Sequence, residues 1–231
     1  MEIMNGALAT VSLFSELPAD AINLIEAQCR WSRLVAGEQV FDKESDTLDV
    51  YFVIEGSVRI LNVISDDREV ALADICAGNC FGELAAIDGL KRSARVIATT
   101  DSLLASLDGP AFLDVLRTYP NVTIQVLERL TRMVRTLDTR VTKLSTMSEQ
   151  QRIWNELLRL AVPEPNNKGV WHIPDMPNHR EIAAWSGTSK DHVANAIGEL
   201  AREGIVKRKT MGLTISDFPR LQIMVKSLEG A

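Results

Sequence analysis

The sequence predicts an α+β protein: an N-terminal β-roll, a long dimerisation helix, and a C-terminal winged helix-turn-helix. Three observations carry that prediction. Residues 34–107 hold short apolar runs separated by Gly- or Asp-containing turns. After Gly109-Pro110 the apolar residues recur every three or four positions, to about Ser148. From Asn178 onward the pattern is helix, tight turn, helix, then two strands. The domains expected are 1–110 (roll), 111–147 (long helix) and 148–231 (winged helix-turn-helix).

The elements follow in order. "VYFVIEGSVRILNVI" is a Tyr/Phe/Val/Ile run, a turn at Glu55-Gly56, and a second run in rough alternation. "SARVIATTDSLLASL" repeats that form. In the helical stretch, Leu127, Leu130, Val134, Leu137, Val141 and Leu144 are spaced 3, 4, 3, 4, 3. That is a heptad seam, and the polar residues around it favour a coiled-coil homodimer over a helix packed on its own domain. A helix at about Glu149 to Ala161 and a loop rich in Pro, Asn and Gly come next. The final segment has a tight turn at Ser186-Gly187-Thr188, a second helix from about Lys190 to Glu203, and strands joined near Met211-Gly212.

Bulk properties set limits. The chain has 231 residues, room for two modest domains, with 46% hydrophobic and 24% charged residues. No window approaches the ~18 apolar residues of a membrane span. The start has no basic region before its apolar residues, which makes it a poor signal peptide. Cys29, Cys76 and Cys80 cannot all pair, and so few cysteines fit a reducing cytoplasm. They are expected to be small core residues. Net charge is −6, but it is uneven: residues 149–231 hold 11 Lys+Arg against 10 Asp+Glu. The acidic first part dominates the total and leaves room for a local basic face in the second.

"FGELAAIDGLKRSARV", residues 81–96, carries the chemistry of the first part. Gly82 lets backbone approach a ligand closely. Arg92 offers a planar donor fork that matches a phosphate, and Ser93 adds a hydroxyl. Glu83 is an acceptor, which suits a sugar hydroxyl. A ribose carrying a cyclic phosphate satisfies all three. The alternative is an internal Glu83–Arg92 ion pair on a turn.

"FGELA" with "RSA", the Gly-Pro start of the long helix, and the helix-turn-helix in the same order resemble the Crp–Fnr superfamily of bacterial regulators. The resemblance is to the catabolite activator branch in particular, and it covers nearly all of the chain. It implies that Glu83 holds the ribose 2′-hydroxyl, that Arg92 and Ser93 hold the cyclic phosphate, and that Gly82, Leu84 and Ala94 line the pocket. Iron–sulfur and haem sensors also occur in that superfamily. Three cysteines fall short of the about four thiolates a cluster needs, and all three histidines lie in the C-terminal half. The expected effector is therefore cAMP and/or cGMP, with no metal, haem or iron–sulfur cluster.

In the resembling branch a Thr-Ser pair on the helix seam meets the base. Here those positions hold Leu137 and Asp138. Leu137 neither donates nor accepts. An ionised Asp138 accepts only, which suits the adjacent ring N–H and amine of guanine. Thr136 is a second candidate, and the alternative for Asp138 is a solvated charge. The Arg that steadies the ribose glutamate aligns with Met133, so Arg132 beside it is expected to take that role.

At the DNA end, Ser189, Lys190, Asp191, His192 and Asn195 form the exposed start of the second helix, with Val193, Ile197 and Leu200 facing inward. Lys190 can reach guanine or phosphate, Asp191 a cytosine amine, and Asn195 adenine by a two-point contact. Arg180, Thr188 and Ser189 are expected backbone anchors, and Lys207, Arg208 and Lys209 an electrostatic wing. The branch carries Arg, Glu and Arg at positions 190, 191 and 195, so a palindromic operator related to the usual one is expected.

These features predict a homodimeric, ligand-gated regulator of double-stranded DNA. No nucleophile–base pair or metal-spaced cluster points to an enzyme. The resemblance also implies that the loop from Val162 to Trp171 meets RNA polymerase. The competing expectations are a constitutive DNA binder with a non-functional pocket, and a nucleotide-binding module that controls a protein partner.

Overall fold

The computed structural model describes residues 6–65, 68–165, 169–210 and 212–226. They form two compact units. The first comprises Met1–Asn62 and Leu72–Arg135; the second comprises Val63–Ala71 and Thr136–Ala231.

The first unit opens with two 3-10 turns, Ala7–Thr10 and Ser12–Phe14, then α1 (Ala19–Glu26). The roll follows as β1 (Arg30–Leu34), β2 (Gln39–Phe41), β3 (Val50–Glu55), β4 (Ser57–Ser65), β5 (Arg68–Cys76) and β6 (Cys80–Phe81). A short helix α2 (Glu83–Asp88), β7 (Arg95–Ala98) and β8 (Ser102–Leu107) complete it. Two four-stranded sheets result, in the orders β1-β8-β3-β6 and β2-β7-β4-β5. The turn expected at Glu55-Gly56 joins β3 to β4. Gly56 has φ +80°, and a Cβ there would lie 2.3 Å from the Asp101 carbonyl oxygen, so only glycine fits. Two apolar groups fill the roll. One holds Phe14, Phe52, Leu107 and Phe112; the other holds Phe41, Val53, Phe81 and Leu104.

The single long helix expected over 111–147 runs as two. α3 (Gly109–Thr118) starts where Asp108 accepts from the Ala111 N–H at 2.8 Å, with Pro110 in its first turn. Tyr119 breaks the helix at φ −122°, ψ +88°, and α4 runs from Pro120 to Thr146. The cause is Pro120: its ring disfavours helical backbone at the preceding residue, yet its fixed φ suits a first helical position. Along α4 the seam residues Leu127, Val134, Leu137, Val141 and Leu144 are 46% to 62% exposed, while Leu130 packs partly on the roll core.

The second unit continues from α4 into α5 (Glu149–Leu160), which begins with a Ser148–Gln151 capping box. After it come β9 (Val162–Pro163), β10 (Trp171–Ile173), α6 (His179–Ser186), α7 (Lys190–Arg202), β11 (Val206–Arg208) and β12 (Leu213–Ile215). The strands form a four-stranded sheet, β11-β12-β10-β9. Met211, in the expected wing turn, lies outside the described residues. A terminal helix α8 (Phe218–Lys226) was not anticipated; Leu221 and Val225 bury it in the core with Ile153 and Leu157. Val193, Ile197 and Leu200 face that core, as their spacing predicts.

Candidate functional site

Two sets of residues stand out, one in each unit. In the first, Gly82 caps α2 with φ +86°. A Cβ there would lie 2.8 Å from Arg92 Nη1 and 2.9 Å from the Asp49 carbonyl oxygen. The glycine is needed both for its left-handed backbone and for the space it leaves to Arg92.

Arg92 is 2% exposed. Its Nε donates to Thr47 Oγ1 at 3.0 Å, Nη1 to the Gly82 carbonyl at 3.0 Å, and Nη2 to the Asp49 carbonyl at 2.7 Å. Its guanidinium lies 4.1 Å from the centre of the Phe41 ring. Burial pushes its pKa down from the usual arginine value, opposed by Tyr51, which is a phenolate only at the high pH where arginine titrates, and by the carboxylates of Asp49 and Glu83. Three of its five N–H groups are thus held by the roll itself, leaving one on each terminal nitrogen for an anion.

Glu83 is also buried, and its partner is neither solvent nor Arg92. Arg129 Nε donates to Glu83 Oε1 at 3.3 Å, and Arg129 Nη2 donates to the Cys80 carbonyl. The internal Glu83–Arg92 pair is therefore replaced by a Glu83–Arg129 pair. Arg132, the expected partner, instead lies 3.6 Å from Glu128, one turn back, both side chains exposed. Arg129 and Arg132 are three apart and share a helix face, so the pattern alone gave no basis for choosing between them. The signal that separates them is local: Arg132 has an acid at i−4, and Arg129 has none.

The other expected pocket residues divide. Ala94 is buried, Ser93 is exposed beside it, and Leu84 is 37% exposed. Thr136, Leu137 and Asp138 are exposed on the part of α4 that belongs to the second unit. Cys80 is buried and Cys29 half-buried, and desolvation pushes each thiol up to about 12. Cys76, expected in the core, is exposed instead, because it ends β5 at the edge of its sheet.

In the second unit, an Asn178–Glu181 capping box starts α6, and Ser189 caps α7 by accepting from the His192 N–H. Lys190, Asp191, His192 and Asn195 are exposed at the start of α7, and Lys207, Arg208 and Lys209 are exposed in the wing. Lys209 lies 3.8 Å from Glu164. Thr188 corrects its expected role. It is 2% exposed, and its hydroxyl lies 3.2 Å from Glu149 Oε2 and 3.1 Å from His192 Nδ1. It sits at the inner side of the turn, so it braces α7 instead of anchoring a phosphate. Glu149 also pairs with His192. Arg152, missed by the sequence reading, donates to the Ser186 carbonyl at 2.8 Å, the Gly187 carbonyl at 3.4 Å and the Met147 carbonyl at 3.0 Å. It ties the helix-turn-helix turn to α5.

A roll with a buried Glu/Arg set, followed by a winged helix-turn-helix with exposed donors, defines a sensor domain joined to a DNA-reading domain. The comparisons give that class its family. The model described as "Cyclic nucleotide-binding domain" matches residues 31–119, and the one described as "Crp-like helix-turn-helix domain" matches 151–224. The Cyclic AMP receptor protein of Thermus thermophilus is 28% identical over 195 residues, 84% of this chain and 88% of that one. The CRP-like cAMP-activated global transcriptional regulator of Mycobacterium tuberculosis is 26% identical over 219 residues, 94% of this chain and 98% of that one. The crystal structure of the Thermus thermophilus Catabolite Activator Protein is similar with a TM-score of 0.53 and 25% identity, covering 94% and 99% of the two chains. The chain belongs to the Crp–Fnr superfamily of transcription regulators, and it is a regulator, not an enzyme. Among the described residues, no helix is long and apolar enough to cross a membrane.

Proposed function

We propose that this chain is a homodimeric regulator whose binding to a palindromic operator is gated by a cyclic nucleotide, cAMP or cGMP. The observation that carries the reading is the buried Glu83, positioned by Arg129 beside the Gly82–Arg92 contact. Glu83 accepts from the ribose 2′-hydroxyl. Arg92, through its two remaining N–H groups, and Ser93 hold the cyclic phosphate. The names of the relatives favour cAMP. Leu137 and Asp138 favour a part for cGMP, because a carboxylate accepts from both the ring N–H and the amine of guanine.

The apolar seam of α4 supports the dimer: five of its six residues are exposed on a single chain and need a partner helix. A two-fold dimer sets two α7 helices about one helical turn of DNA apart, ~34 Å, which is why the operator is palindromic. Lys190, Asp191 and Asn195 read bases, His192 meets a base or a phosphate, and Arg180, Ser189 and the wing residues Lys207, Arg208 and Lys209 meet the backbone. Gating requires the nucleotide to bind one arrangement of the dimer more tightly than the other. Such a regulator works in the cytoplasm, and the family resemblance assigns the contact with RNA polymerase to the Val162–Trp171 segment, of which residues 166–168 lie outside the described residues.

Calorimetric titration with cAMP and with cGMP, on the native protein and on Asp138→Ala, tests this. Nucleotide heat from the native protein is expected. cGMP binding that is lost in the variant makes Asp138 the guanine reader. Equal cAMP binding by both proteins makes it a solvated charge. Heat from neither nucleotide overturns the gated reading in favour of a constitutive DNA binder.

A further inference from the structure

The β4–β5 hairpin contributes Val63–Ala71 to the second unit, alongside the helix-turn-helix. There, Glu69 on β5 meets Arg180 on α6: Arg180 Nη2 lies 3.2 Å from Glu69 Oε1. The two line a small cleft of about 80 Å³ whose other walls are Ala183, Thr188 and Lys190. So one carboxylate sits among two cations that both belong to the DNA-facing set. Arg140 on α4 fixes the same piece of backbone. Its Nη1 donates to the Ala71 carbonyl, and its Nη2 to the Trp185 carbonyl of α6 at 3.5 Å. The strand end carrying Glu69 and the helix carrying Arg180 are therefore held by one guanidinium.

An acceptor oxygen near 3 Å from an arginine terminal nitrogen is what a DNA phosphate also offers. We propose that Glu69 is an intramolecular phosphate mimic: it occupies the guanidinium of Arg180, and DNA must displace it to bind. This rests on Arg180 being a DNA backbone contact. Glu69 is then a residue that sets DNA affinity without itself touching DNA. A partly exposed pair of this kind is worth a few-fold in a competing equilibrium, not orders of magnitude.

The test is a double-mutant cycle on the full-length protein: native, Glu69→Gln, Arg180→Gln and the double variant. Binding to a mixed-sequence DNA duplex is measured over a range of salt concentrations. Glu69→Gln is expected to tighten binding about threefold in the native background and not at all beside Arg180→Gln. Arg180→Gln is expected to weaken binding and to lower the magnitude of the log–log salt slope by about one. Equal tightening by Glu69→Gln in both backgrounds would mean a general loss of negative charge and would overturn the mimic. So would no change from Glu69→Gln while Arg180→Gln still weakens binding, though Arg180 would then stand as a backbone contact. An Arg180→Gln protein with unaltered affinity and slope would instead remove the DNA contact on which the mimic depends.

Discussion

The sensor roll and the helix-turn-helix carry their polar chemistry in opposite ways. In the roll, Glu83 and Arg92 are both at least 97% buried and held by partners within the protein. In the helix-turn-helix, Lys190, Asp191 and Asn195 stand exposed at the start of α7. A buried charge has lost its water and depends on fixed acceptors, so its residues serve stability as well as binding. An exposed donor on a capped helix is nearly independent of the fold beneath it. On the proposed function, binding and stability are tied together in the first unit and separable in the second.

The largest expected effect sharpens that contrast. Arg92→Ala leaves the Gly82 and Asp49 carbonyls without their buried donor. It is expected to destabilise the protein by about 3 kcal/mol or more in urea denaturation and to abolish nucleotide heat. Next is Gly82→Ala, which brings a methyl to 2.8 Å from Arg92 Nη1 at φ +86°; a loss of about 2 kcal/mol is expected in the same measurement. Third, Lys190→Ala is expected to weaken operator binding by about 1–2 kcal/mol while leaving the denaturation midpoint within about 0.5 kcal/mol of native. A matching loss of stability there would break the contrast. The smallest is Thr188→Val, which keeps the shape of a buried side chain but removes its bonds to Glu149 and His192. It is expected to lower stability by about 1 kcal/mol and DNA affinity only slightly, placing Thr188 with the interior and not with the exposed donors.

How legible these features were follows from the same difference. The roll strands, the seam of α4 and the inner face of α7 repeat at regular spacings, so their residues announce themselves. Gly82, Glu83 and Arg92 were legible because they lie within ten residues of one another. Their partners were not. Thr47 and Asp49 reach Arg92 across the roll, and Arg129 reaches Glu83 from 46 residues away. No periodicity encodes such closure, and between the two arginines on one helix face the sequence offered only a local hint, the acid four residues before Arg132. Thr188 was misjudged because a turn residue in sequence is read as exposed, whereas this one points toward α5. The break at Tyr119 was visible as Pro120 but was absorbed into a longer helical pattern. Helix α8 went unnoticed because "FPRLQIMVK" is short and follows a strand with only Asp217 to announce it.

Two of the three acceptors on Arg92 are main-chain oxygens, from Gly82 and Asp49. Main-chain carbonyls persist whatever side chain replaces residue 49, so the hydrogen bond to Arg92 survives there, and only the smaller contributions of the Asp49 carboxylate, its charge beside Arg92 and its pair with Arg30, are lost. Position 82 lacks that freedom, since any Cβ collides, and position 92 admits no other residue with a five-donor fork. Random mutagenesis scored for nucleotide response should therefore return stronger hits at 82 and 92 than at 49, even though all three meet at the same guanidinium.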